Sequence, residues 1–117
     1  MKNYAERIEQ IRKDRRDLHP LYRKNLKTYQ PFLALEKIAF SDGVLTKKIK
    51  ELMALSISIV TKCEPCMEWH VHQAFLAGAS DEEIYETIDI AIEMGGGPAQ
   101  AYSRYALRAL AYHKGKK

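Results

Sequence analysis

Three residues in the middle of the chain have types and a spacing that suit thiol chemistry. Cys63 and Cys66 are three positions apart, and His70 follows four positions after Cys66. Residues three and four apart share one face of an α-helix, so the three side chains should project within a narrow arc. Pro65 lacks a backbone N–H and therefore fits the first turn of a helix, where that group has no partner. The sequence thus predicts that the cysteine pair lies at a helix N-terminus.

A thiol at a helix N-terminus is activated. The helix dipole and the free N–H groups stabilise a thiolate, which is the reactive form of cysteine. A second thiol three residues away can convert an oxidised sulfur into a disulfide. His70 lies one turn after Cys66 and is a candidate base for the attacking thiol. The spacing therefore predicts a redox-active pair.

Three other interpretations of the pair stay open at this level. A structural zinc site would use Cys63, Cys66 and His70 and would need a fourth ligand. Glu51 is the candidate, because His72 lies about 200 degrees round the helix from His70. Two buried, unreactive cysteines are the second alternative. The third is a thioredoxin-type module, in which the pair follows a strand, and the helical patterns on both sides argue against it.

The remaining histidines and the tryptophan have less chemical promise. His19, beside Pro20, and His113, in the C-terminal tail, are expected to face solvent, and residues 113–117 are expected to fray. Trp69 is expected to pack in the core or at a subunit contact because of its size.

Helical patterns precede the pair. The N-terminal stripe consists of Tyr4, Ile8, Ile11, Arg15 and Leu18. Pro20 is expected to end that helix, and a second helical segment spans 21–40 with a break near Pro31. Thr46 is expected to cap the next helix, which contains the apolar run 52–60. That run alternates like a strand, but its entry is rich in helix-forming residues, so we favour a helix.

Cap residues predict where the later helices begin and end. Ser80 and Glu83 form a capping box. The glycine triplet 95–97 is expected to end that helix, and Pro98 suits the first turn of the following one. The patterns together predict an all-α protein, a compact bundle of about six helices.

Length and charge restrict the class of protein. The 117 residues suit one domain, 1–117, with residues 1–20 as an N-terminal helical extension. The net charge is +4, but acidic residues are interleaved with the basic ones near the N-terminus, so we expect a solvated helix face and no nucleic acid. No apolar run reaches the ~20 residues of a membrane span, and no signal core follows Met1, so we expect a cytoplasmic protein without a membrane partner. We expect no cofactor and no bound metal.

Several motifs resemble one family. They are Lys50-Glu51-Leu52, Cys63-x-x-Cys66-x-x-x-His70 and Ala77-Gly78-Ala79-Ser80-x-x-Glu83-Ile84. Together they resemble the carboxymuconolactone decarboxylase family, and within it the alkylhydroperoxidase (AhpD-like) branch. The resemblance covers approximately 30–111 and leaves the first 20 or so residues outside. It implies an AhpD-like all-helical fold that assembles as a homo-oligomer, with a hexamer built as a trimer of dimers favoured over a trimer.

The resemblance also implies a thiol-dependent peroxidase, an antioxidant oxidoreductase. Cys66 would attack the hydroperoxide, Cys63 would resolve the oxidised sulfur, and Glu51 with His70 would form a proton relay. A dihydrolipoamide- or thioredoxin-type thiol would be the reductant. Some peroxidase members carry a histidine where this chain has Pro65, which weakens the case for peroxide reduction more than the case for a redox-active disulfide. The alternatives are a non-peroxidase disulfide reductase, a redox-responsive oligomeric protein and a metal-stabilised structural protein.

Overall fold

The computed structural model describes residues 3–115, which contain helices and no strand. In chain order the helices are α1 (Tyr4–Asn25), α2 (Tyr29–Ala39), α3 (Lys47–Val60), α4 (Glu64–Leu76) and α5 (Asp81–Gly115). Helices α3, α4 and α5 pack against one another and form the body of the molecule, α1 packs on α5, and α2 contacts α1. The predicted all-α class is confirmed, and residues 3–115 form five helices when the two segments of the kinked α5 are counted as one.

The first helix is longer than predicted. α1 passes through Pro20 and ends at Asn25, so the predicted stop at Pro20 is wrong. Pro20 is exposed, and the carbonyl four residues earlier that loses its hydrogen bond can reach water instead. Pro31 lies in the first turn of α2, which begins at Tyr29, so the break falls before Pro31 and the missing N–H costs little there.

The predicted caps of α3 and α5 are confirmed. The Thr46 side chain accepts a hydrogen bond from the Ile49 N–H at 3.3 Å, and the run 52–60 is helical. Ser80 and Glu83 bond reciprocally, because the Ser80 N–H donates to the Glu83 carboxylate at 2.9 Å and the Glu83 N–H donates to Ser80 Oγ at 3.1 Å. Two free N–H groups at the start of α5 are satisfied in this way.

The glycine triplet divides α5 into two helical segments, as predicted, and Pro98 lies in the first turn of the second segment. Gly96 has φ 70° and ψ −151°, a left-handed φ that a residue with a Cβ rarely adopts. After this kink the helix continues to Gly115. The predicted fraying is therefore wrong for 113–115, and residues 116 and 117 lie outside the described chain.

The core is built mainly from α3, α4 and α5, with Ile8 as the contribution of α1. Its largest fully buried apolar side chains are Ile8, Leu55, Ile59, Met67, Val71 and Ile84. By contrast, α2 has no buried residue, and Phe32, Leu35 and Ile38 are exposed along it. Among the described residues, no helix combines the length and the apolar character that crossing a membrane requires.

Candidate redox site

A tight reversal between α3 and α4 positions the cysteine pair. The N–H of Cys63 donates to the Ser58 carbonyl at 3.0 Å, and the N–H of Lys62 donates to the Ile59 carbonyl at 3.1 Å. This pair of bonds is a Schellman motif, which usually places a glycine at the left-handed position. Here Lys62 occupies it, with φ 61°, and it is the one non-glycine residue with positive φ in the described chain. The reversal folds α4 back on α3 and fixes Cys63 at the start of α4.

Cys63 and Cys66 form a disulfide at the N-terminus of α4. Cys63 is the N-cap residue, and its Sγ accepts a hydrogen bond from the Cys66 N–H at 3.3 Å. Pro65 lies in the first turn, so the predicted position of the pair is confirmed. Both cysteines are partly exposed. The disulfide occupies both sulfurs, so neither is a thiolate ligand for the zinc site considered above. The residues around it are helical, which argues against the βαβ unit of a thioredoxin-type module.

Glu51 and His70 bring α3 and α4 together beside the pair. His70 Nδ1 lies 2.7 Å from Glu51 Oε1, and Lys47 Nζ donates to Glu51 Oε2 at 2.7 Å. Burial alone would raise the pKa of Glu51, but its hydrogen bonds and electrostatic interactions with His70 and Lys47 outweigh burial and hold the pKa below its usual value. Glu51 is thus an ionised carboxylate at neutral pH although it is only 1% exposed.

The Glu51 contact determines the tautomer of the His70 ring. An ionised carboxylate accepts a hydrogen bond from Nδ1–H, so Nε2 is left as the basic nitrogen. Phe40 stacks on the ring with the centroids 5.2 Å apart, which restricts its rotation. Cys66 and His70 lie one turn apart on α4. The structure therefore supplies a fixed imidazole on the same helix as the cysteine pair.

A second ionic cluster, which the sequence did not reveal, surrounds Glu68. This carboxylate is fully buried and accepts hydrogen bonds from His113 Nε2 and Arg15 Nη2, each at 2.7 Å. Burial would raise the pKa of Glu68, but these two partners outweigh burial and lower it. The prediction that His113 faces solvent is wrong, because α5 continues to Gly115 and carries His113 onto α4, where it is 3% exposed.

The same cluster contains a set of metal-ligand types. Glu68, His72 and His113 offer ligand atoms that lie within 4.8 Å of one another. However, the rings of His72 and His113 are stacked, with centroids 3.7 Å apart and planes 2° from parallel. A metal ion binds an imidazole nitrogen in the plane of its ring, and two stacked parallel rings have no common plane. Arg15 also places a positive charge on the carboxylate, so the arrangement fits an ion-pair network better than a metal centre.

Helix α1 contacts the residues between the two cysteines. Arg7 forms an ion pair with Glu64, and Arg15 Nη2 donates to the Pro65 carbonyl at 3.3 Å. The Arg15 guanidinium also lies 4.8 Å from the centroid of the Trp69 ring. A basic residue on the otherwise apolar stripe of α1 was the sequence signal for this contact.

Trp69 and His19 lie in surroundings that differ from part of the expectation. Trp69 is partly exposed and is not a core residue, and its predicted alternative role at a subunit contact stays a prediction. His19 is partly buried, and its Nδ1 lies 2.6 Å from the Tyr29 hydroxyl, so it is a bonded group at the contact between α1 and α2 rather than a solvated one.

The fold and the cysteine motif together define a family. The model of the carboxymuconolactone decarboxylase family matches residues 27–111. The chain therefore belongs to the carboxymuconolactone decarboxylase family, as its motifs predicted. The matched segment contains the cysteine pair, Glu51 and His70, and it leaves α1 outside.

Relatives in sequence and structure agree with this assignment. Uncharacterized protein 4 in cox locus of Paracoccus denitrificans is 46% identical over 79 residues, which cover 68% of this chain and 71% of that protein. An uncharacterized protein of Haemophilus influenzae is 35% identical over 96% of each chain.

Two solved structures have the same fold. A carboxymuconolactone decarboxylase family protein from Legionella pneumophila is 32% identical, with a TM-score of 0.87 over 92% of this chain and 96% of that one. A Thermotoga maritima family member, a candidate antioxidative-response protein, is 32% identical, with a TM-score of 0.82 over 90% of each chain.

Proposed function

We propose that the protein is a thiol-dependent peroxidase of the alkylhydroperoxidase type. The observation that carries the proposal is the disulfide between Cys63 and Cys66 at the N-terminus of α4, one turn before a histidine paired with a buried carboxylate. A partly exposed pair in this position can cycle between dithiol and disulfide. The candidate antioxidative role of the Thermotoga maritima relative supports the same reaction.

The proposed cycle has three steps. The Cys66 thiolate attacks the terminal peroxide oxygen, the O–O bond breaks, and His70 supplies the proton with which the other oxygen leaves as an alcohol. The Cys63 thiolate then attacks the Cys66 sulfenic acid, the S–O bond breaks, and the leaving hydroxide takes up the proton that the Cys63 thiol released, so that water forms. An external dithiol of the dihydrolipoamide or thioredoxin type reduces the disulfide through a mixed disulfide and is itself oxidised.

His70 and Glu51 have different roles in this cycle. His70 removes the proton from the attacking thiol, and the imidazolium that results returns it to the leaving oxygen. Glu51 touches no reacting atom, so it is a positioning residue that fixes the ring and stabilises the imidazolium. Lys47 is 43% exposed along its side chain and completes the hydrogen bonding of the carboxylate.

Disulfide reduction without peroxide chemistry is the second candidate. Pro65 occupies the position directly before Cys66, where some peroxidase members of the family carry a further histidine of the relay. The remaining groups are sufficient for thiol–disulfide exchange, which needs a thiolate and a resolving thiol but no proton for a leaving oxygen.

We also propose that the protein works as a homo-oligomer, a hexamer before a trimer on family grounds. The outer face of α3 carries an apolar stripe of Ile49, Met53, Ile57 and Val60, which are between 38% and 61% exposed. Helix α2 also exposes apolar side chains, namely Phe32, Leu35 and Ile38. Exposed apolar surface of this kind is typical of subunit interfaces.

Turnover tests the proposed reaction. The reduced protein should consume a hydroperoxide catalytically when dihydrolipoamide or a thioredoxin system is present, and His70→Gln should slow this turnover strongly. His72→Gln is the matched control, because it makes the same substitution two residues further along α4 on a different face. Disulfide reduction without peroxide consumption would support the second candidate, and equal losses in the two variants would remove His70 from the mechanism.

A further inference from the structure

Helix α1 is outside the segment that the family model matches, yet it contacts the cysteine motif directly. Arg15 makes the central contact. Its guanidinium bonds to the buried Glu68 carboxylate at 2.7 Å and to the Pro65 carbonyl at 3.3 Å, and it lies over the Trp69 ring. Three partners on α4 thus hold one cation against the first turns of that helix.

The Pro65 carbonyl belongs to the peptide group that also contains the Cys66 N–H. That N–H donates to Cys63 Sγ at 3.3 Å. Arg15, the Pro65–Cys66 peptide and Cys63 Sγ therefore form a continuous chain of two hydrogen bonds. A cation that binds the carbonyl of an amide draws electron density toward the oxygen and makes the N–H a stronger donor.

We propose that Arg15 is a positioning residue of the redox site, which polarises the Pro65–Cys66 peptide so that its N–H stabilises the Cys63 thiolate after reduction. The effect acts through the peptide rather than as a free positive charge, because Glu68 neutralises much of the Arg15 charge. Arg7 does not duplicate it, since its partner is the Glu64 side chain and not a backbone group of the motif.

The consequence rests on the proposed function and concerns its second step. The resolving thiol attacks the sulfenic acid only as a thiolate, so a larger thiolate fraction on Cys63 at neutral pH closes the disulfide faster. In this arrangement α1 is a part of the redox centre that adjusts the first cysteine, while Glu51 and His70 serve the second.

The reactivity of Cys63 alone tests the inference. In a Cys66→Ser background Cys63 is the single thiol, and the pH dependence of its alkylation gives the titration midpoint of that thiol. Arg15→Met, which keeps the unbranched stem and removes the donor, should raise the midpoint by about 0.5 to 1 unit. Arg16→Met is the matched control, because Arg16 is exposed, pairs with Asp17 and makes no bond to the motif.

Glu68→Gln separates polarisation from a loss of packing. Glu68→Gln and Arg15→Met both remove the ion pair between α1 and α4, but only Arg15→Met removes the donor to the Pro65 carbonyl. The inference requires that Arg15→Met raises the Cys63 midpoint more than Glu68→Gln does. Equal rises, or no rise in Arg15→Met, overturn it. Alkylation of reduced protein does not depend on peroxide turnover, so a protein that fails as a peroxidase leaves this result interpretable.

Discussion

Replacing Glu51 by Gln should slow peroxide oxidation of the reduced protein by about tenfold without unfolding it. Gln has nearly the same size as Glu and keeps an acceptor oxygen for His70 Nδ1–H. In the wild-type structure this nitrogen lies 2.7 Å from the Glu51 carboxylate. What is lost is the negative charge that stabilises the imidazolium. A hydrogen bond to a charged group contributes roughly 1.5–3 kcal/mol and a neutral one about 0.5–1.5 kcal/mol, so the substitution loses about 1–1.5 kcal/mol. Each 1.36 kcal/mol corresponds to about tenfold in rate.

Two neighbouring substitutions give the scale for this effect. His70→Gln removes the base itself and should cost roughly 10²–10⁴-fold. Lys47→Met removes the other partner of Glu51, but the Lys47 side chain is 43% exposed. An ion pair at such a site contributes about 1 kcal/mol at most, which is roughly fivefold. His70→Gln should therefore be the slowest variant because His70 carries the proton. Glu51→Gln should come next and Lys47→Met last, because Glu51 is buried and Lys47 is partly exposed.

The assay is the second-order rate constant for thiol loss when the reduced protein is mixed with peroxide, with helical circular dichroism as the check on folding. If Glu51 acts only through His70, the double variant Glu51→Gln/His70→Gln should be no slower than His70→Gln alone. A Lys47→Met variant as slow as Glu51→Gln would contradict this role of Glu51. So would a double variant in which the rate losses of Glu51→Gln and His70→Gln multiply.

Three further predictions concern stability and assembly. Lys62→Gly should raise the free energy of unfolding by about 1 kcal/mol in urea titrations, since glycine adopts the observed φ of 61° without the clash of a Cβ. Burial and the charge of His113 lower the pKa of His72 below 6.5, so the folded state resists its protonation and stability should fall as the pH falls below that value; His72→Gln should remove this part of the pH dependence. Ile57→Glu, at a side chain that is 61% exposed, should shift light scattering toward the 13.5 kDa monomer, whereas a wild-type protein that already scatters as a monomer contradicts the proposed oligomer.

Local chemistry explains what the sequence predicts well. Thr46 and the Ser80–Glu83 box bond to N–H groups within three residues, so their effect depends on nothing far away in the chain. The same holds for Pro65, which fits a first turn wherever that turn lies. The position of the cysteine pair at the start of α4 follows from such local preferences.

Contacts between distant residues set the limit of prediction. Glu51 and His70 are 19 positions apart; the zinc alternative grouped them as ligands, but only the resemblance to a family paired them as a proton relay. Glu68 and His113 are 45 positions apart, and their contact depends on α5 continuing to the end of the described chain. The predicted stop at Pro20 was wrong because α1 is exposed there. Water can replace the one backbone hydrogen bond that the proline removes.

Thiol counting after mild peroxide treatment is the most direct test of the redox account. The reduced protein should fall from two free thiols to none per chain with its helical content unchanged. Cys66→Ser should consume no peroxide, and Cys63→Ser should be oxidised once, with a sulfenic acid trapped on Cys66. The opposite pattern in the two variants would reverse the assigned roles, and two thiols that stay unreactive until denaturant is added would contradict the redox function itself.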